Sequence, residues 1–160
     1  MGPQIGPLIL KIICMKRAGV KAEIFLDAAY AIALASPNDY FHEQAVNLAR
    51  QLQQSKTCLV TTRAVILEIG NALSKQRHRQ DAVTLLRTLE TDPDVKIIPL
   101  SEQLYDKAFL LFQERPDKEW GLTDCVSFVI MTERKIGAAL TTDVHFEQAG
   151  FQVLLQKESR

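Results

Sequence analysis

No excess of either charge marks this 160-residue chain: 19 lysines and arginines stand against 19 aspartates and glutamates. A strongly basic surface is the usual footprint of a nucleic-acid partner, so any such chemistry here must come from a local site. Cysteine is scarce. The three present (Cys14, Cys58, Cys125) lie far apart and form no C-x-x-C pair, and the three histidines (His42, His78, His145) show no zinc-ligand spacing. That argues against a disulfide framework and a structural zinc. The cysteines read as small buried hydrophobes, and free thiols suit a reducing cytoplasm, where the protein is expected. Long apolar runs are missing too. The segment IGPLILKIICM is short and interrupted by Lys11, below the roughly 20 apolar residues of a membrane-spanning helix. Lys16 and Arg17 follow that run, whereas a signal peptide carries its charges in front. Residues 1–21 therefore read as an N-terminal extension of unknown role, with the fold in 22–157 and no membrane contact expected. No repeat, low-complexity tract or linker divides the chain.

What is present is an alternation. With 47% hydrophobic and 24% charged residues, the chain has the balance of one ordinary globular domain. Short apolar runs predict strands at EIFLD (23–27), CLVT (58–61), VKIIPL (95–100), AALTT (138–142) and FQVLL (151–155). Helical patterns lie between them. Ala45, Leu48, Ala49 and Leu52 form one stripe over 41–55, and Ala82, Val83, Leu85, Leu86 and Leu89 form another over 79–90. Further helices are predicted over 101–114 and 122–136. Strands alternating with helices indicate an α/β fold with a mostly parallel, three-layer sheet. In such sheets sites form beyond the carboxyl ends of the strands, where strand order reverses.

Four acids stand at such places. Asp27 ends the first strand and Asp143 follows the fourth; for each, the plainer reading is a helix N-cap. Asp124 opens LTDCVSFVIMTE, a helix apolar on nearly every side, and there the plainer reading is a first-turn acid serving the helix dipole. Glu68 is harder to dismiss. It lies well inside TTRAVILEIGNAL, past any capping position, with no Lys or Arg three or four residues away. Carboxylates brought within about 4 Å repel by roughly 4 kcal/mol per pair at an effective dielectric of about 20. A fold keeps such a cluster when a cation compensates it. Oxygen ligands alone select a hard ion, Mg2+ or Mn2+, and such ions commonly serve phosphoryl chemistry.

Four stretches resemble the PIN-domain family, and most closely its VapC-type toxins of toxin–antitoxin pairs. IFLDAAYAIA resembles the family's first motif with Asp27, TTRAVILEIGNAL its second with Glu68, DKEWGLTDCVSFVIM its third with Asp124, and LTTDVHFEQAGF its fourth with Asp143. The likeness covers residues 22–157. It implies a five-stranded sheet of order 3-2-1-4-5 flanked by helices, a divalent metal held by the four acids, and endonucleolytic RNA cleavage leaving a 5′-phosphate. It also implies a homodimer and a cognate antitoxin protein. Gly121 stands where such toxins often have serine.

Other residues carry weaker signals. Thr141, Thr142 and Ser127 flank the acids, as hydrogen-bond partners or as caps and packing. The run KQRHRQ (Lys75, Arg77, His78, Arg79) reads as a solvated helix end ahead of a phosphate contact. Trp120 reads as a loop anchor ahead of a base-stacking platform. His145 reads as a cap or surface residue, not a general base. Two alternatives stand beside the toxin: a PIN nuclease of RNA maturation or turnover, and a non-catalytic, metal-binding regulatory α/β module. The second needs an aspartate ending the third strand, and IIPL has none.

Overall fold

The computed structural model describes residues 22–157; the extension expected over 1–21 lies outside them. Five parallel strands form one sheet: β1 (Glu23–Leu26), β2 (Cys58–Thr62), β3 (Val95–Ile98), β4 (Ala138–Leu140) and β5 (Gln152–Val153). Their order is β3-β2-β1-β4-β5, as the resemblance implied. β1 is central, with Phe25 opposite Val60 on one side and Ala139 on the other. Ile24, Phe25, Val60 and Ala139 are wholly buried, which explains why these strands read as unbroken apolar runs and not as alternation.

Among the described residues seven α-helices connect the strands: α1 (Ala28–Ala35), α2 (His42–Ser55), α3 (Arg63–Ala72), α4 (Arg79–Thr91), α5 (Glu102–Glu114), α6 (Leu122–Arg134) and α7 (Val144–Gln148). From β1 the chain steps outward through β2 to β3, then returns to β4 and β5 on the far side. Right-handed crossovers put the helices of the two halves on opposite faces, and the order reverses between β1 and β4. Each large apolar side chain buried in this sandwich contributes about 1.5–3 kcal/mol. Among the described residues, no helix is long and apolar enough to cross a membrane.

Element ends depart from the sequence pattern for local reasons. β3 stops at Ile98 because Pro99 has no N–H to continue the ladder. β4 stops at Leu140 and not at residue 142, and the hydroxyl of Thr141 is taken up by a side chain across the sheet end. β5 is an edge strand beside that three-residue neighbour, so only two of the five expected residues complete the pattern. α6 ends at Arg134, where Lys135 turns left-handed (φ 58°) and its N–H closes on Met131 O and Thr132 O.

Candidate metal centre

Asp27 leaves the end of β1 with extended backbone (φ −98°, ψ 162°) in the N-cap position of α1, yet its side chain makes no capping hydrogen bond. Its carboxylate Oδ2 instead accepts from Thr141 Oγ1 at 2.6 Å. Thr61, at the end of β2, donates its hydroxyl to Leu26 O at 2.7 Å, and Thr62 caps α3 by accepting from Val65 N at 3.2 Å. Buried threonine hydroxyls thus line the strand ends around Asp27 and satisfy backbone groups that the ladder leaves open. The plainer reading of Asp27 as a helix cap fails. Burial pushes its carboxyl up to about 6; the Thr141 hydrogen bond opposes the rise, and the charges of Asp124 and Asp143 add to it.

Glu68 projects from the middle of α3. Burial, then the charges of Asp27, Asp124 and Asp143, push its carboxyl up to about 7. Residue 68 is exposed overall, so water screens part of that repulsion. α3 and α6 touch one another, which brings this acid toward Asp124.

Asp124 and Asp143 serve their helices and face the cluster as well. Asp124 is the third residue of α6, and its Oδ2 accepts from Gly121 N at 2.9 Å, so glycine at 121 leaves only the aspartate half of a capping box. Burial raises the Asp124 carboxyl, with Asp143 adding to the rise and the Gly121 and His145 contacts opposing it. Asp143 Oδ1 accepts from His145 N at 2.8 Å and so caps α7.

The cap-or-surface reading of His145 is corrected. Its Nδ1 lies 3.2 Å from Asp124 Oδ2 and 3.4 Å from Asp143 Oδ1. His145 is also tied to the cluster through its backbone, whose N–H donates to Asp143 Oδ1. Donor atoms of Asp124, Asp143 and His145 all fall within 4.8 Å of one another.

Trp120 offers no platform to a base. It is buried, edge-on to Phe128 with ring centres 5.0 Å apart, and its Nε1 donates to Gln148 Oε1 at 3.2 Å. Phe128 also meets Phe146 and Phe151, so an aromatic cluster ties the loop before Asp124 to the helix that carries His145. Ser127 donates to Thr123 O within its own helix. In the basic run, Arg79 donates to Ser74 O at 2.7 Å, which fits a structural role.

The donors suit a hard divalent cation. Among the described residues, Asp27 and Glu68 feel the charges of other acids and of no lysine or arginine, a balance that a bound cation would compensate. Four carboxylates and one imidazole at the switch point of the sheet could supply an ion with oxygen ligands and a nitrogen neighbour. Thr141 fastens this arrangement: its hydroxyl donates to Asp27 and also accepts from Asp143 N at 3.1 Å. Thr141→Val should cost about 1–3 kcal/mol at pH 8, the usual penalty for stranding buried polar groups. The denaturant midpoint measures it, and an unchanged midpoint would remove this role from Thr141.

The sequence model of the PIN domain family matches residues 24–152. A 23S rRNA-specific endonuclease, VapC20 of Mycobacterium tuberculosis, is 25% identical over 128 residues, covering 80% of this chain and 95% of the relative. The crystal structure of VapC20, described as a toxin that cleaves the sarcin–ricin loop, superposes with a TM-score of 0.70 at 24% identity, over 80% of this chain and 95% of that one. VapBC2 of Rickettsia felis, crystallised on a DNA fragment from its promoter, matches with a TM-score of 0.62 at 13% identity, over 82% and 96% of the two chains.

Proposed function

The chain belongs to the PIN-domain family, and from that premise we propose that it is a Mg2+- or Mn2+-dependent endoribonuclease and the toxin of a toxin–antitoxin pair. The observation that carries this is the acidic cluster at the sheet's carboxyl edge, in which no lysine or arginine among the described residues acts on Asp27 or Glu68. Asp27 and Asp124 are the principal metal ligands in this reading, and Asp143 completes a second ion or its water shell. When bound, such an ion neutralises charge on the scissile phosphate and makes water more acidic. Glu68 is a ligand or an orienter of the attacking water. Its carboxyl, raised to about 7, can accept a proton near neutral pH. Thr141 holds Asp27 in place through their hydrogen bond.

Purified protein should cleave RNA with Mg2+ or Mn2+ and not with EDTA. The 23S rRNA named for the mycobacterial relative is the first substrate to assay. No cleavage of any RNA under either ion would overturn the nuclease reading.

Two partners complete the proposal. A second copy of the chain is supported by the outer face of α5, where Tyr105, Phe109 and Phe112 recur at helical spacing with Leu110 beside them, each 42–54% exposed. Light scattering should give the mass of a dimer; a monomer at micromolar concentration would contradict it. A cognate antitoxin is supported by the danger that a free ribonuclease poses to its own cell. An arginine from such a partner could pair with the carboxylates bidentately. Expression alone should slow growth, and co-expression with the neighbouring small gene should restore it. Unimpaired growth with active protein would leave the nuclease and remove the toxin.

A further inference from the structure

Among the described residues, His145 is the basic side chain that lies against the acidic cluster, and a hard-ion site does not call for an imidazole. Its Nδ1 stands 3.2 Å from Asp124 Oδ2 and 3.4 Å from Asp143 Oδ1. The three donor atoms lie within 4.8 Å of one another. We propose that His145 Nδ1 is itself a metal ligand, sharing one ion with Asp124 and Asp143, so that the site favours first-row transition ions over Mg2+. This rests on the metal-dependent reading above and adds to it a ligand and a selectivity.

Geometry supports the assignment. Adjacent ligands on an octahedral ion, each about 2.1 Å from it, stand about 3.0 Å apart and opposite ones about 4.2 Å apart. The two nitrogen–oxygen separations lie a few tenths of an ångström beyond the adjacent value, a distance that a small side-chain rotation closes. The ring is also held where it is needed. The His145 N–H donates to Asp143 Oδ1 at 2.8 Å, and the next residue, Phe146, is fully buried against Phe25 and Phe128. The tautomer with its proton on Nε2 presents the Nδ1 lone pair toward both carboxylates.

Chemistry supplies the consequence. Carboxylates and water suit Mg2+, whereas an imidazole adds affinity that rises from Mn2+ through Co2+ to Ni2+. A site with this nitrogen therefore separates ions that a pure oxygen cage separates less.

The test titrates the full chain with Mg2+ and with Co2+ by calorimetry, for wild type, His145→Ala and His145→Gln. Thermal unfolding checks that each variant folds; the His145 side chain is only 25% exposed, so His145→Gln, which keeps most of its bulk, guards against packing lost in His145→Ala. Wild type should bind Co2+ at least about tenfold tighter than Mg2+. Both variants should lose most of that ratio by weakening Co2+ alone, with Mg2+ affinity within about threefold of wild type. Pulsed electron paramagnetic resonance of bound Mn2+ should show a coupled nitrogen in wild type and none in either variant. An unchanged Co2+/Mg2+ ratio, or no nitrogen coupling in wild type, would reduce His145 to a hydrogen-bond partner and leave the nuclease proposal standing. No binding of any of these ions by wild type would sink both.

Discussion

Asp27→Asn is expected to abolish RNA cleavage and, at the same time, to make the metal-free protein harder to unfold. Both effects have one origin. Asp27 is 7% exposed, and burial pushes its carboxyl up to about 6, so at neutral pH the fold holds an ionised group that it would rather keep neutral. Asparagine keeps the shape, and its side-chain oxygen can still accept from Thr141, but it brings no charge to desolvate. A rise of about two pKa units corresponds to about 3 kcal/mol. The new amide N–H group must find a partner, so a net gain of about 2 kcal/mol is the reasonable expectation. For a chain of this size that is a rise of about 5 °C in melting temperature in EDTA. In the proposed reading the charge removed is one that holds an ion, so cleavage should fall by more than the 10–100-fold typical of residues one step removed from a metal. Cleavage assays and unfolding in EDTA read the two halves separately. A variant that cleaves at the wild-type rate would place the site elsewhere; a dead variant with lowered stability would contradict the account of burial.

Metal-free wild type should lose stability as pH rises from about 5 to 8. Both shifts are upward: Asp27 to about 6 from an ordinary 3.8, and Glu68 to about 7 from 4.5. The native state therefore binds more protons than the unfolded chain across this range, and stability falls with pH wherever that holds. The contribution is complete below the unfolded values and is lost as pH passes through 6 for Asp27 and then 7 for Glu68. Asp27 accounts for about 3 kcal/mol of it over the full range, of which roughly half falls between pH 5 and 8. Glu68 adds less, because residue 68 is exposed and water screens its neighbours. The melting temperature in EDTA should drop by roughly 5–10 °C between pH 5 and 8. Saturating Mg2+ or Mn2+ should restore most of it at pH 8 and little at pH 5, because protons then compete for the same oxygens. A melting temperature that is flat or rising with pH in EDTA would show that neither burial nor mutual repulsion raises these carboxyls in the folded protein.

Much of the scaffold could be read from spacing. EIFL and CLVT announce inner parallel strands because they are largely apolar without alternation, VKII marks the half-exposed edge strand β3, and the helical stripes between them fix the class. Element ends are harder, because single hydrogen bonds decide them. Pro99 ends β3, Lys135 closes α6, and at the end of β4 the Thr141 hydroxyl bonds a carboxylate 114 residues away. The four candidate acids stand out through topology: three stand at strand ends or helix starts, and Glu68 lacks any helical partner. What those acids touch was not. Asp27 has the sequence context of a cap and makes no cap, whereas Asp143 has the same context and does. His145 faces Asp124 across 21 positions of sequence, a separation over which local pattern carries no information. Trp120 was ambiguous because an indole serves packing and stacking equally well, and only the Phe128 edge and the Gln148 acceptor decide between them.

That indole gives the protein an optical reporter of its own. Trp120 is the single tryptophan of the chain; it is buried, with the Arg115 guanidinium 4.9 Å above its ring. Light absorbed at the red edge of the aromatic band is therefore taken up at one known position, beside the helices that present Asp124 and His145. Emission from an indole shifts to longer wavelength when water reaches it, so a change confined to this loop would show in the spectrum before the strands come apart. Unlabelled protein in a cuvette can thus separate loosening at the mouth of the site from loss of the sheet beneath it.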